Sequence, residues 1–197
     1  MILRGRSVLI TSGPTREHID PIRFLTNASS GAMGFALAAA ARAAGARVVV
    51  VSGPTELSAP EGASVVRVST ALEMRREVLK LSARADAVIA AAAVSDWRVE
   101  RAAAHKIKRS SSKLRLTLIP NPDIIKEAAA RRRPGQVFIG FALETRREEE
   151  NARAKLVRKG LDMIVANAPA SLASGRIRAT LIGHGWKRRM PLAKKAL

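Results

Sequence analysis

The chain has 197 residues, 47% of them hydrophobic, enough for one ordinary domain with a real core. It has no cysteine, which excludes disulfides, thiolate catalysis by the protein and cysteine–zinc sites, and its three histidines (His18, His105, His184) lack helical metal-ligand spacing. With 35 Lys+Arg against 16 Asp+Glu the net charge is +19, which suits nucleic acid or anionic small molecules, but aromatic residues (3%) are scarce for base stacking.

In chain order, Ser7–Thr11 reads as a strand, and the small residues of Asn27–Gly34 lead into an alanine-rich helical pattern at Gly34–Ala44. Gly45 suits the position just past a helix end, and Arg47–Val51 suits a fully buried strand. Thr70 can cap a helix running to Ala83, with Leu72, Val78 and Leu79 on one face. Ala85–Ala93 is continuously apolar, as a central parallel strand would be. Trp97–Lys113 is polar and basic and reads as a mobile flap, and Leu114–Ile119 as a strand. Asn121-Pro122-Asp123 reads as a helix start, with Asn121 as N-cap and Pro122 at the first helical position.

Val137–Phe141 is a further strand, Glu148–Lys159 a charged helix and Leu161–Ala166 a buried strand; two short strands follow around a Gly183–Gly185 turn. The alternation predicts a single α/β domain over residues 1–197, an open, mostly parallel Rossmann-like sheet with helices on both faces. No run approaches a membrane span and no signal peptide precedes the first strand, so a cytoplasmic protein is expected.

Ligands on such sheets bind outside the carboxyl ends of the strands, which here means Ser12–Gly34, Val94–Trp97, Asn121–Asp123, Phe141–Thr145 and Asn167. In Asn27 to Gly34, the residues Ser29, Ser30, Gly31, Met33 and Gly34 can cradle a phosphate at a helix N-terminus, and the Asn27 amide can donate to a developing oxyanion. The spacing is neither the G-x-G-x-x-G dinucleotide fingerprint nor a Walker A loop, and an ordinary strand–helix loop is the plain alternative. Asp96 can accept from ribose hydroxyls, bind a metal through water, or simply cap a turn.

Lys106, Lys108 and Arg109 can close over a triphosphate or form a solvated basic loop. Lys155 and Lys159, four apart, share a helix face, which suits a bound anion or a salt-bridged surface helix headed by Glu148–Glu150. Trp97, Phe141 and Trp186 read as packing residues, and His105 as exposed and not catalytic.

Together these segments resemble bacterial phosphopantothenoylcysteine synthetase, the synthetase half of the bifunctional coenzyme A biosynthesis protein. The resemblance rests on Thr11–Glu17 with Ile19-Asp20-Pro21, Arg23–Asn27 with Ser29–Gly31 and Met33-Gly34, and Val51–Pro54. It continues through Ala92–Trp97, Lys106–Arg109, Asn121–Ile124, Gly140–Ala142 with Glu144-Thr145, and Lys155–Asn167, so it spans most of the chain.

The resemblance implies a ligase with CTP as co-substrate and Mg²⁺, which activates 4′-phosphopantothenate as an acyl-cytidylate and then couples it to cysteine. It places Asn27 at the acyl group for the second stage and Lys106 in the flap as a catalytic residue. It assigns CTP contacts to Ala90, Ala91, Ala92, Asp96, Lys106, Pro122, Asp123, Ile124, Ile125, Phe141, Lys155 and Lys159, and assigns no metal ligands. It also implies a homodimer and a decarboxylase partner, separate or fused, so that this chain is either a stand-alone synthetase or an isolated domain.

Two departures from the family pattern stand out. Ala32 occupies a position where the family often has lysine, and Ser174–Arg178 lacks the usual Asp/Asn-rich turn. Two competing functions remain at this point, a nicotinamide-dependent short-chain oxidoreductase and a nucleic-acid-binding module. The first lacks its glycine fingerprint and a tyrosine, and the second is favoured by charge alone.

Overall fold

The computed structural model describes residues 2–143, 147–167, 176–177, 179–190 and 193–194. Glu144, Thr145, Ser174, Gly175 and Arg178, each named above, lie outside the described residues. The elements are β1 (Ser7–Ser12), β2 (Arg16–His18), β3 (Phe24–Thr26), α1 (Ala32–Ala43), β4 (Arg47–Ser52), β5 (Ser64–Arg67), α2 (Ala71–Ser82), β6 (Ala87–Ala90) and β7 (Trp97–Val99). They continue with β8 (Leu118–Pro120), α3 (Ile124–Ala130), β9 (Val137–Leu143), α4 (Glu148–Arg158), β10 (Met163–Asn167), β11 (Arg176–Ile177), β12 (Ala179–Gly183), β13 (Trp186–Arg189) and β14 (Ala193–Lys194).

The side-chain period of two along each strand sorts the apolar residues into two layers. Val8, Ile10, Val48 and Val50 pack beneath Phe35, Ala38 and Ala41 of α1. Leu9, Val51, Val88, Phe138 and Ile164 face the other way, against Met74 and Val78 of α2, Ile124 and Ala128 of α3, and Leu156 of α4. Helices therefore cover both faces, as the α/β alternation predicted. The parallel strands lie in the order β5-β4-β1-β6-β9-β10, and β12 and β13 extend the sheet antiparallel. The chain starts at β1, winds outward to β5, then returns to continue from β6 the other way. The crevice at that reversal, between β1 and β6, is where such sheets bind ligands.

Several local expectations change. Helix α2 carries a full capping box: Thr70 Oγ1 accepts from Glu73 N–H, and the Glu73 carboxylate accepts from Ser69 and Thr70 N–H. Its buried face is Ala71, Met74, Val78 and Ser82, while Leu72 points to solvent. The N-cap of α3 is Asp123, not Asn121, because the Asn121 side chain is spent on Ser95 and Arg98 and Asp123 accepts from Lys126 N–H instead. The central strand β6 ends at Ala90, where Ala92 N–H turns to Thr11 Oγ1.

The basic interval is not an unanchored loop. Trp97–Val99 pairs with Leu118–Pro120 in a two-stranded ribbon, so the expected strand at Leu114–Ile119 begins only at Leu118. Leu114 and Leu116 stay exposed. The β2–β3 hairpin and edge strand β5 carry too little apolar alternation to be read from sequence.

Candidate active site

A cavity of about 390 Å³ opens beside the carboxyl ends of β1, β6 and β9. Its floor is Thr11, Val88, Ala90 and Gly140, and its apolar walls are Met74 and Val78 of α2 and Ile124 and Ile125 of α3. A Cβ at Gly140 would meet Leu161 Cδ1 at 2.6 Å, so the buried Leu161 side chain would have to shift to admit one. Asp96, Asp123, Lys155 and Lys159 supply the charged groups. An apolar slot with a few convergent polar groups is the usual form of a small-molecule site.

Of the residues named from sequence, Ala90, Ala92, Asp96, Pro122, Asp123, Ile124, Ile125, Phe141, Lys155 and Lys159 line this cavity. Ala91 and Lys106 are not among its lining residues. The two lysines do not face one another unrelieved: Lys159 Nζ pairs with Asp123 Oδ2 at 3.0 Å, while Asp123 Oδ1 caps α3. Both lysines also stand at the C-terminal end of α4, where the helix dipole favours cations. The Asp96 carboxylate accepts no hydrogen bond among the described residues, although its backbone is fixed by Asn121 N–H donating to Asp96 O at 2.8 Å.

Asn27 lies beside the cavity. Its Nδ2 donates to Ala93 O at 3.2 Å and Val94 O at 3.1 Å. Two carbonyls can face only the NH₂ end of an amide, so Oδ1 points away from them and receives no donor among the described residues. The expected donation to an oxyanion is therefore unavailable in this arrangement, and the group Asn27 offers outward is an acceptor.

The loop after Asn27 enters α1 through Gly31, whose φ of 81° is readily adopted by glycine. Ser29 Oγ accepts from Gly31 N–H and Ser30 Oγ from Ala32 N–H. Met33 and Gly34 N–H have no acceptor among the described residues, and the first turn carries no acidic residue. The end of α1 is thus open to an anion. Gly34 also serves packing: a Cβ there would lie 2.5 Å from Ser12 Cβ and Oγ, and Ser12 is fully buried and bonded to Gly31 O.

Sequence reasoning did not single out the side chains that hold these loops. Thr15 is fully buried: its N–H donates to Ala93 O, its Oγ1 accepts from Ser95 N–H, and its carbonyl accepts from Thr26 Oγ1. Ala93 N–H donates to Gly13 O. Glu17, also buried, accepts from Ala71 N–H at the start of α2. Only polarity within a Gly-Pro-Thr-Arg-Glu stretch hinted at these roles. Lys106 sits between two anchors, Ala103 N–H to Ile19 O and Ile107 N–H to Asp20 Oδ2. Among the described residues no helix is long and apolar enough to cross a membrane, and no three His, Asp or Glu side chains cluster to hold a metal.

Comparisons with known proteins give the chain's relatives. The coenzyme A biosynthesis bifunctional protein CoaBC of Vibrio cholerae is 49% identical over 168 residues, covering 84% of this chain and 42% of that protein. The CoaBC of Bacillus subtilis is 42% identical over 199 residues, covering 98% of this chain and 49% of that protein. The chain thus spans under half the length of these curated relatives. A crystal structure of the C-terminal domain of CoaBC superposes with a TM-score of 0.84 at 38% identity, covering 98% of this chain and 90% of that one. Residues 3–196 match the C-terminal domain of the DNA/pantothenate metabolism flavoproteins, and the chain belongs to that family.

Proposed function

We propose that residues 1–197 form a single phosphopantothenate–cysteine ligase domain acting in coenzyme A biosynthesis. The observation that carries this reading is the meeting of Asp96, Lys155 and Lys159 with the start of α3 around one cavity at the sheet's carboxyl edge. The family membership and the CoaBC relatives support it.

A carboxylate oxygen of 4′-phosphopantothenate attacks the α-phosphorus of CTP, and pyrophosphate leaves with the electron pair of the broken P–O bond. The amine of cysteine then attacks the acyl carbon, CMP leaves, and the nitrogen loses a proton to solvent. Lys155 and Lys159 attract the nucleotide phosphates, with Lys159 exchanging Asp123 for phosphate oxygens. Asp96 accepts from the ribose, and the apolar walls hold the base. The open end of α1 takes a phosphate-bearing group.

Asn27, with its amide committed to the backbone, accepts through Oδ1 from the attacking amine. Mg²⁺ enters as the counter-ion of the triphosphate. Hard cations of this kind take few protein ligands when phosphates are present. The domain works as a homodimer, alongside a fused or separate decarboxylase, in the cytoplasm.

The test mixes the protein with CTP, Mg²⁺ and 4′-phosphopantothenate, with and without cysteine. Pyrophosphate release without cysteine, and amide product only with it, is the expected result. No release with any nucleoside triphosphate overturns the reading.

A further inference from the structure

Asp20 follows β2 and is 1% exposed. Its Oδ1 accepts from Ile22 N–H at 2.9 Å and Arg23 N–H at 2.8 Å. Its Oδ2 accepts from Arg23 Nε at 3.0 Å, from Arg23 Nη2 at 2.5 Å, and from Ile107 N–H at 3.1 Å. Arg23 Nη2 also donates to Ile107 O at 2.6 Å. The main chain of Ile107 is therefore gripped at both ends, its N–H by the carboxylate and its carbonyl by the guanidinium that neutralises that carboxylate. A carboxylate withdrawn from water needs donors on both oxygens, and this one has them.

The grip falls at a boundary. Upstream, Ala103 N–H is tied to Ile19 O. Downstream, every residue from Lys108 to Leu118 is exposed, and the only side-chain hydrogen bond within the tip joins the Ser110 and Ser112 hydroxyls. Lys106 thus stands on a fixed stem, while Lys108, Arg109 and Lys113 ride on a free tip.

We propose that Asp20 is a positioning residue for nucleotide binding: through the main chain of Ile107 it fixes where Lys106 stands on the stem of the basic loop. This rests on the ligase reading above. It assigns motion to the 108–116 tip, which ends where Thr117 O accepts from Glu100 N–H, and denies it to Lys106.

The test uses two variants. Asp20→Asn keeps the Oδ1 acceptor but turns an NH₂ toward Ile107 N–H and Arg23. Arg23→Lys keeps a cation beside the Asp20 carboxylate but loses the planar fork that also reaches Ile107 O, and the Arg23 side chain is partly exposed, so it decides the matter if Asp20→Asn does not fold. The apparent affinity of a nucleotide falls by the fraction of chains whose loop is competent, so the nucleotide KM should rise about 10-fold with kcat changed less than about 2-fold. The KM for 4′-phosphopantothenate should not move.

Tryptic cleavage after Lys106 should quicken about 10-fold relative to cleavage after Lys113, because unclamped backbone opens more often. An unchanged nucleotide KM with unchanged cleavage after Lys106 in both variants overturns the proposal, as does a loss of kcat at constant KM. If the unaltered protein releases no pyrophosphate, the ligase reading falls, and the clamp is judged on the cleavage ratio alone.

Discussion

Asn27 Nδ2 donates to the carbonyl oxygen of Val94 at 3.1 Å, joining residues 67 apart in sequence. Because Ala93 O takes the second amide hydrogen, Asn27 contributes Oδ1 to whatever binds beside it. Asn27→Ala should leave pyrophosphate release within about 3-fold while slowing amide formation by roughly 10²-fold, the usual cost of one oriented catalytic hydrogen bond. Quenched-flow assay of pyrophosphate and amide in the same reaction separates the stages. Raising cysteine should recover much of the lost rate if Oδ1 orients the amine. A deficit that persists at every cysteine concentration would assign Asn27 to the acyl oxygen instead.

The Lys159–Asp123 ion pair predicts a split between affinity and stability. A hydrogen bond to a charged group contributes about 1.5–3 kcal/mol, so Lys159→Ala should raise the nucleotide KM by roughly 10- to 100-fold. Asp123→Ala removes the α3 cap and should cost about 1 kcal/mol in a urea titration. It should not weaken nucleotide binding to the same degree, since it frees Lys159.

At Gly34 a methyl group has nowhere to go. The neighbouring Ser12 side chain is fully buried and hydrogen-bonded, so Gly34→Ala must push α1 away from β1. Overpacking of this kind costs about 1–3 kcal/mol, read as a lowered denaturation midpoint with an unchanged slope. An unaltered midpoint would contradict the close approach of α1 to Ser12.

The Arg23 guanidinium beside Asp20 holds its carboxyl well below the usual carboxylate range, outweighing burial, with further help from the N–H groups of Ile107, Arg23 and Ile22. A carboxyl whose folded pKa is depressed stabilises the fold above its unfolded value, near 3.9, and loses that contribution as pH falls toward the folded value. The stability gap between the unaltered protein and Asp20→Asn should therefore stay constant from pH 8 to about pH 5 and narrow below about pH 4. Thermal unfolding across that range measures it. A gap that widens in acid would reverse the sign of the linkage.

Much of the sheet was legible because its central strands carry apolar runs that are largely buried, as at Val48–Val51, and the start of α2 because Thr70 suits an N-cap. The cavity residues of the α3 start and of α4 were legible mainly through the family resemblance, the four-residue spacing of Lys155 and Lys159 adding that the two share a helix face. What stayed hidden was held by single polar contacts that leave no periodic trace. Nothing in the order Asn121-Pro122-Asp123 says which carbonyl-bearing side chain caps the helix. That depends on Ser95 and Arg98 having claimed Asn121 first. Likewise the three-residue strands β2, β3, β7 and β8 are too short for alternation to register, and their pairing depends on contacts across the fold. Asp20 carries no role in the sequence beyond its place in the Ile19-Asp20-Pro21 match until Ile107 is seen against it.

The stitching around Thr15 has a consequence for anyone recombining these proteins. Residues 13–27 and 93–95 meet through the Thr15, Gly13 and Asn27 hydrogen bonds, so neither stretch keeps its partners when moved alone. A chimera that exchanges one stretch and disturbs its backbone strands buried N–H and carbonyl groups of the other, each at a cost of about 1–3 kcal/mol. Exchanged together, the two travel as one cassette that brings its own bonding complement, and crossover points belong outside both.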